Sequence, residues 1–373
     1  MTRPKKIVTV IGTRPEVIKT APVINELDRR GHDFQSIVVI TGQHVEMCKP
    51  YLDLFSVTPA HNLAIMQENQ TLDSIVVNIM GKLPAVLREI DPDMVLVQGD
   101  TTTAFATALA SFHNGIKVGH IEAGLRTHNK HNPFPEEINR RLVGPLADLH
   151  FAPTAKARQN LLAEGIDENQ VFVTGNTVID ALLGIVRDDY EFSDPRLQQI
   201  DFERQKVICV TTHRRESFGT PLLNTIRALK KISELFPDTE IILPVHYNPN
   251  VKKHIHEQLE GQERIHLIDP LPYEPFAQLL NKSYLILTDS GGIQEESPSL
   301  GKPVLVLRET TERPEGIQAG TARLVGTDVE TILEWVGKLL TDQTEYDAMA
   351  KAQNPYGDGN AAQKIVDILA THL

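Results

Sequence analysis

Ser283-Tyr-Leu-Ile-Leu-Thr-Asp-Ser-Gly-Gly-Ile-Gln-Glu-Glu296 decides how this chain reads. Its apolar run from Tyr284 to Leu287 predicts a buried strand, Asp289-Ser290-Gly291-Gly292 breaks it, and a helix is expected to open directly afterwards. The first N–H groups of a helix lack partners inside it, and glycines beside them let an anion approach the backbone, so such a turn suits a phosphate. Glu296 stands four residues beyond Gly292, on the same helical face, where its carboxylate can accept hydrogen bonds from ribose hydroxyls. Phosphates at the turn and a carboxylate for the sugar describe a nucleotide-diphosphate pocket. An ordinary strand-to-helix turn closed by a glycine cap has the same local pattern.

Outward from this stretch, short apolar and β-branched runs alternate with helical patterns along the whole chain. Residues 6–11, 36–40, 94–97, 118–121, 149–152 and 171–173 form one set of expected strands. Residues 207–210, 241–245, 265–268, 285–287 and 304–307 form a second. Helical patterns follow most of them, as at 15–30 and 101–112. Strands buried on both faces and separated by helices predict parallel, doubly wound sheets. Two sets predict two Rossmann-like α/β domains facing a central cleft: residues 1–177, then 178–357, with an amphipathic helix in 358–373 crossing back to the first. No repeat at a period of 20–50 residues interrupts this reading.

Composition narrows the partners. The 373 residues are 41% hydrophobic and 23% charged, the profile of a globular protein. A net charge of −12 argues against nucleic acid, so any phosphate must be met by local cations and backbone amides. Cys48 and Cys209 stand far apart, which offers no disulfide framework or zinc cluster and suits a reducing compartment. No apolar run reaches the roughly 18–20 residues of a membrane span, and no secretory apolar segment opens the sequence, so a cytoplasmic location is expected.

In doubly wound sheets, ligands bind beyond the carboxyl ends of the strands. The residues expected there are Gly12-Thr-Arg-Pro-Glu16, Gln98-Gly-Asp-Thr-Thr-Thr103, His120-Ile-Glu-Ala-Gly124 with Pro135-Glu-Glu137 soon after, Thr212-His-Arg-Arg-Glu216, Val245-His246 and the Ser290-Gly-Gly turn. Pro15 at a first helical position puts Arg14 where a phosphate would sit, although a surface arginine would look the same. Asp100 serves equally as a catalytic carboxylate or as the N-cap of the following helix. Glu122, flanked by Ile121 and Ala123-Gly124, would have a raised pKa if buried among apolar groups. Glu136 and Glu137 are ambiguous between chemistry and a favourable helix start. His213, at a strand end beside two arginines, is a candidate proton-transfer group or a loop histidine.

Other patterns carry no site. Asp91-Pro-Asp93 resembles the metal-binding DxD of some glycosyltransferases, but it precedes its strand and reads as a turn. No GxGxxG or P-loop occurs, and His254-Ile-His256 lacks an HExxH frame. Neither a metal nor a cofactor is expected.

Taken in order, Gly12-Thr-Arg-Pro-Glu16, Gln98-Gly-Asp-Thr-Thr-Thr103, His120-Ile-Glu-Ala-Gly-Leu-Arg-Thr127, Pro135-Glu-Glu-Ile-Asn-Arg140, Gly175-Asn-Thr-Val-Ile-Asp180, His213-Arg-Arg-Glu216, Pro244-Val-His-Tyr-Asn-Pro249, Asp289-Ser-Gly-Gly-Ile-Gln-Glu-Glu296 and Asn354-Pro-Tyr-Gly-Asp-Gly359 resemble the non-hydrolysing UDP-N-acetylglucosamine 2-epimerases. The resemblance runs from about Ile7 to the C-terminus. It implies a fold of the glycosyltransferase B type, a homodimer, and interconversion of UDP-GlcNAc and UDP-ManNAc by elimination of UDP to a 2-acetamidoglucal and re-addition. By the same resemblance Asp100, Glu122, Glu136 and His213 are the catalytic residues. Arg14, Lys19, Ser290, Gly291, Gly292 and Arg313 bind substrate, Glu296 holds the ribose, and Phe276 is a wall for uracil or a core side chain.

Bacterial members of the family bind a second UDP-GlcNAc beside the active site, and Gln43, His44, Gln70, Arg214 and His246 match those positions. Glu46 and Asn69 depart from the pattern, which has a longer amide and an arginine there. The rival readings are a sister epimerase on a modified UDP-sugar, a hydrolysing epimerase releasing UDP and ManNAc, a glycosyltransferase of the same fold, and a nucleotide-sugar sensor. A sensor would lack the carboxylates, and a glycosyltransferase would need an acceptor groove instead of them.

Overall fold

The structure, a computed structural model, describes residues 3–43, 45–212, 214 and 218–373. Contacts divide the chain into two compact units, residues 1–181 with 356–373, and residues 182–355. Each is built on its own parallel sheet with helices between the strands, so the α/β fold class is two Rossmann-like units of the glycosyltransferase B type.

The first sheet has seven strands: β1 (Lys5–Ile11), β2 (Phe34–Ile40), β3 (His61–Asn62), β4 (Met94–Gln98), β5 (Lys117–Ile121), β6 (Leu149–Ala152) and β7 (Val171–Val173). Their order is β3-β2-β1-β4-β5-β6-β7, and every neighbouring pair is parallel. Strand β1 explains the register: Ile7, Val8, Val10 and Ile11 are buried on both faces, as a central parallel strand requires. The last helix, Ala361–His372, lays Ala362, Ile365, Val366 and Leu369 against Ile7, Val23, Leu27, Phe34 and Met94. Fully burying a side chain of that size stabilises by about 1.5–3 kcal/mol, enough to anchor the returning chain.

The second sheet comprises β8 (Lys206–Thr211), β9 (Thr239–Pro244), β10 (Ile265–Ile268), β11 (Leu285–Thr288), β12 (Val304–Val306) and β13 (Ala322–Leu324), in the order β10-β9-β8-β11-β12-β13. It too is parallel throughout. Its core joins Ile208, Val210, Ile241, Leu243, Leu285 and Leu287 to the helices on one face.

Two strands were not legible in the sequence. Strand β3 is a polar dipeptide that exists because it pairs with β2, and β13 carries Arg323, whose guanidinium lies 3.5 Å from the Trp335 ring centroid. Both are edge strands held by their neighbour and not by an apolar run of their own.

The strand order reverses between β1 and β4 in the first sheet and between β8 and β11 in the second. Those reversals are where the helices on either side diverge and leave room for a ligand.

Candidate active site

At the first reversal, the turns after β1 and β4 come together. Gly12 has no alternative there: a Cβ would stand 2.2 Å from Thr103 Oγ1, so only glycine lets the turns meet. Arg14 opens the helix Arg14–Arg29, with Thr13 as its N-cap. A pocket of about 430 Å³ opens at this place, and its walls include Arg14, Lys19, Asp100, Glu122 and Glu136. Five residues expected at the site, from four stretches of sequence, therefore share one pocket.

Glu122 is the centre of it. The residue is buried and has a positive φ of 63°, a conformation that a non-glycine residue adopts only when its surroundings hold it there. Lys19 Nζ stands 2.6 and 2.8 Å from its two carboxylate oxygens, Asn176 Nδ2 donates to Oε1 at 3.0 Å, and Gln98 Nε2 donates to Oε2. The apolar setting expected from Ile121 and Ala123 is thus corrected. Side chains alternate along β5, so Ile121 turns into the core while Glu122, one residue past the strand, faces polar donors. Lys19, expected to meet substrate, lies on this carboxylate.

Asp100 does not cap the helix Thr102–His113. Thr101 does so, accepting the N–H of Ala104 at 3.0 Å. The Asp100 carboxylate is instead left for Arg140, whose guanidinium is 2.5 Å away. Burial pushes the Asp100 carboxyl above its ordinary value, with Arg140 pulling the other way.

The Glu136–Glu137 ambiguity resolves into two tasks. Glu137 is fully buried and accepts the N–H groups of Thr127 at 2.9 Å and His128 at 3.0 Å, so it holds a loop. Glu136 begins the helix Glu136–Val143 and faces the pocket, and its Oε2 is buried without a hydrogen-bond partner. A carboxylate oxygen left in that way is available to a ligand.

Two further groups shape the site, and sequence reasoning had given neither a role. Glu16 is fully buried and accepts from the N–H of Gly12 at 3.1 Å, the N–H and hydroxyl of Thr13 at 2.7 Å, and the hydroxyl of Thr101 at 2.8 Å. It ties the turn carrying Arg14 to the turn carrying Asp100, and burial pushes its carboxyl up to about 7. Its signal in the sequence was Thr13-x-x-Glu16, a capping box. His120 is also fully buried, and its Nε2 pairs with the Gly99 carbonyl at 2.7 Å. Burial, with His150 nearby, pushes the His120 imidazole down to about 3, so it is neutral and Nε2–H is the donor.

At the second reversal, the Ser290-Gly291-Gly292 turn leaves β11 and enters the helix Gly291–Glu296 with Ser290 as N-cap. Ser290 N–H donates to Thr288 Oγ1 at 2.9 Å, and buried Gln294 donates to the Ser290 carbonyl at 3.0 Å, which fixes the turn. The Ser290 hydroxyl makes no cap bond. A Cβ on Gly291 would stand 3.6 Å from the Arg214 guanidinium and 3.8 Å from that of Arg313, so two cations flank the glycine.

Glu312 accepts from Arg214 at 3.1 Å and lies 3.6 Å from Arg308, and Glu295 pairs with Arg313. Burial raises the Glu312 carboxyl, yet the surrounding arginines outweigh it and hold it below the usual range. Arg308 was missed in the sequence. Its signal was a cation just past the end of β12. Phe276 and His246 line a smaller pocket of about 210 Å³ with Thr211, Pro244 and Leu271. Phe276 also packs against the core beneath, as expected of a core side chain.

Comparison with known proteins identifies this arrangement. The sequence profile described as UDP-N-acetylglucosamine 2-epimerase matches residues 25–370. The chain belongs to that epimerase family. The UDP-N-acetylglucosamine 2-epimerase of Bacillus subtilis (strain 168) is 51% identical over 367 residues, 98% of this chain and 95% of the relative. Among solved structures, a putative UDP-N-acetylglucosamine 2-epimerase from Listeria monocytogenes superposes with a TM-score of 0.94 at 47% identity, covering 99% of this chain and 96% of that one. The UDP-GlcNAc 2-epimerase from Neisseria meningitidis, solved bound to UDP-GlcNAc, gives 0.84 at 47% identity, covering 98% of this chain and all of the other.

The other positions that the resemblance singled out divide by unit. Gln70 Nε2 donates to the Gln43 carbonyl at 3.3 Å in the first, while Arg214 and His246 belong to the second. His44 and His213 lie outside the described residues. Asp91 is left-handed and ends the helix Leu72–Ile90, and Asp93 accepts the Lys6 N–H at 2.8 Å, so both residues of the DxD pattern serve the turn before β4. No helix is long and apolar enough to cross a membrane among the described residues.

Proposed function

We propose that this protein interconverts UDP-GlcNAc and UDP-ManNAc by eliminating UDP to a 2-acetamidoglucal and adding it back after inversion at C2. The observation that carries this reading is the meeting of Asp100, Glu122 and Glu136 on one pocket in a chain of this family. The C2 proton is weakly acidic, so its removal has to be coupled to departure of the diphosphate, with a base on one side of C2 and an acid on the other.

Glu122 is the base. Lys19 on both oxygens and two amide donors favour its charged form. It takes the C2 proton, the C2–H electrons become the C1=C2 double bond, and the C1–O bond breaks, with the diphosphate keeping that electron pair. Asp100, raised by burial, holds a proton more readily than an ordinary aspartate and supplies one to C2 from the other side when the diphosphate oxygen re-attacks C1. Glu136 and His213 complete the set as further acid–base groups. The nucleotide part falls to the second unit, where the glycine turn and its arginines take the diphosphate, Glu296 the ribose and Phe276 the base. The reaction needs neither a metal nor a cofactor.

The test is product identity. Protein incubated with UDP-GlcNAc alone should yield a mixture of UDP-GlcNAc and UDP-ManNAc, and in D2O the UDP-ManNAc should carry deuterium at C2. Stoichiometric free ManNAc would establish a hydrolysing enzyme, and turnover only of a further-modified UDP-sugar would establish a sister epimerase. The same reading makes the protein a cytoplasmic homodimer. Exposed Val77, Phe112 and Leu142, on three helices of the first unit, support association with a second copy, which sedimentation at micromolar concentration tests. It also gives Gln43, His44, Gln70, Arg214 and His246 a second UDP-GlcNAc, and a sigmoidal rate curve in UDP-GlcNAc is the expected sign.

A further inference from the structure

Two quoted motifs have no task in the reaction so far, Gly175-Asn-Thr-Val-Ile-Asp180 and the Tyr356-Gly357 step of the later one. They meet. Asn176 is 1% exposed, and its backbone N–H donates to the Tyr356 carbonyl at 2.6 Å. Its side-chain Oδ1 accepts the Val178 N–H at 3.2 Å. That commitment leaves the amide NH2 as the end that reaches Glu122 Oε1 at 3.0 Å. Gly175, with φ at 92°, packs so closely on the returning chain that a Cβ would stand 3.2 Å from the Gly357 Cα. Tyr356 is itself buried, so the carbonyl that holds Asn176 is a fixed point.

We infer that Asn176 is a positioning residue of the reaction: locked in place by the returning segment at Tyr356 and Gly357, it aims the Glu122 carboxylate at the pocket and sustains its charged form. The inference rests on the role of Glu122 proposed above. Lys19 and Gln98 also donate to that carboxylate, and Asn176 is held at both its side-chain oxygen, by the Val178 N–H, and its backbone N–H, by the Tyr356 carbonyl. Its donor therefore has a defined direction. That matters because Glu122 holds a left-handed backbone and needs its carboxylate secured from the side-chain end. Among the described residues, charged and titratable groups near Glu122 include Lys19 from the helix Arg14–Arg29, Asp100 from the turn after β4, Glu136 from the helix Glu136–Val143, and neutral His120 from β5. Asn176 and Gln98 are uncharged donors to the Glu122 carboxylate, one on each oxygen.

Asn176→Asp tests this with little change of shape. Aspartate still accepts from the Val178 N–H, but it presents an anion to Glu122 where the amide presented a donor. Losing a donor to a carboxylate raises its pKa, and adding a like charge raises it further, so the acid limb of the kcat–pH profile should move upward by roughly one unit. Turnover at neutral pH should fall by roughly 10²-fold. Asn176→Ala removes the donor without the charge and should give a smaller shift in the same direction, with turnover down about 10-fold. UDP affinity by calorimetry should stay within about threefold of the wild type in both, because the nucleotide place lies in the other unit.

Equal loss of turnover at every pH with an unmoved acid limb in the folded variants would reduce Asn176 to packing and overturn the inference. Wild-type turnover in Asn176→Asp would do the same. Glu122→Gln, measured alongside, separates the two layers. If it is inactive while Asn176→Asp is normal, only the Asn176 inference fails. If it is active, the role of Glu122 fails first.

Discussion

The two units turn similar sheets to opposite uses of charge. Behind the first reversal lie groups whose protonation has been moved: Glu16 up to about 7, Asp100 raised, His120 down to about 3. Around the glycine turn of the second unit, permanent cations dominate, Arg214, Arg308 and Arg313, and Glu312 is held charged by them. Proton transfer needs groups that burial has shifted, and a departing diphosphate needs cations that never titrate. The difference supports the proposal that proton transfer falls to one unit and anion binding to the other.

The largest expected effect breaks the chemistry and spares the binding. Glu122→Gln keeps the hydrogen-bonding shape but cannot take a proton, so turnover should drop by roughly 10²-fold or more. UDP affinity should hold, since Arg214, Arg313 and the turn are untouched. Near-normal turnover would move the burden of proton transfer to Asp100 and Glu136.

The converse variant is Gly292→Leu. A Cβ at Gly292 meets nothing nearer than Glu296 Oε1 at 3.7 Å, so the turn tolerates the substitution. The added side chain would cover the N–H groups that a phosphate approaches, and UDP should bind roughly 10-fold more weakly. Unchanged affinity in calorimetry would detach the glycine turn from nucleotide binding, and the contrast between the units would lose its second half.

How far the sequence carried can be read from particular residues. Central strands such as β1 and β4 were legible because burial on both faces forces continuous apolar runs, and the strand-to-helix turns followed from glycine, proline and N-cap chemistry. Edge strands β3 and β13 were not, because a neighbour's hydrogen bonds make them. Arg14, Asp100 and Glu122 were legible as strand-end polar residues, and Glu136 as a carboxylate at a helix start. What each one touches was not: Lys19 on Glu122, Arg140 on Asp100 and Asn176 across 54 positions of sequence on Glu122 are products of folding. Asp100 as N-cap and Glu122 among apolar groups failed for the same reason, since local pattern cannot choose between neighbouring residues one position apart.

The smallest expected effect concerns stability. His120 and His150 are both buried in the first unit, their rings 6.5 Å apart, and burial pushes them down to about 3 and about 4. Below the ordinary histidine value of 6.5 the unfolded chain takes up these protons while the folded chain refuses them. Stability present above that value is therefore lost as pH falls toward 4.

Glu16 opposes this. Raised to about 7, it binds a proton in the folded state first, so its contribution grows as pH falls from 7 toward 4.5. Asp100, raised by burial in the same unit, acts in the same direction as Glu16, so each variant is read against the wild type at the same pH. His150→Gln removes one of the two and should lessen the fall in Tm between pH 7 and 5 by a few degrees, on the order of 1 kcal/mol. Glu16→Gln should steepen it by a similar amount. Hydrogen exchange at pH 5 locates the effect: amides of β5 and β6 should lose protection before those of β8 and β11. Simultaneous loss in both sheets would mean that the acid-sensitive groups are not confined to the chemical unit, and the contrast would be one of binding alone.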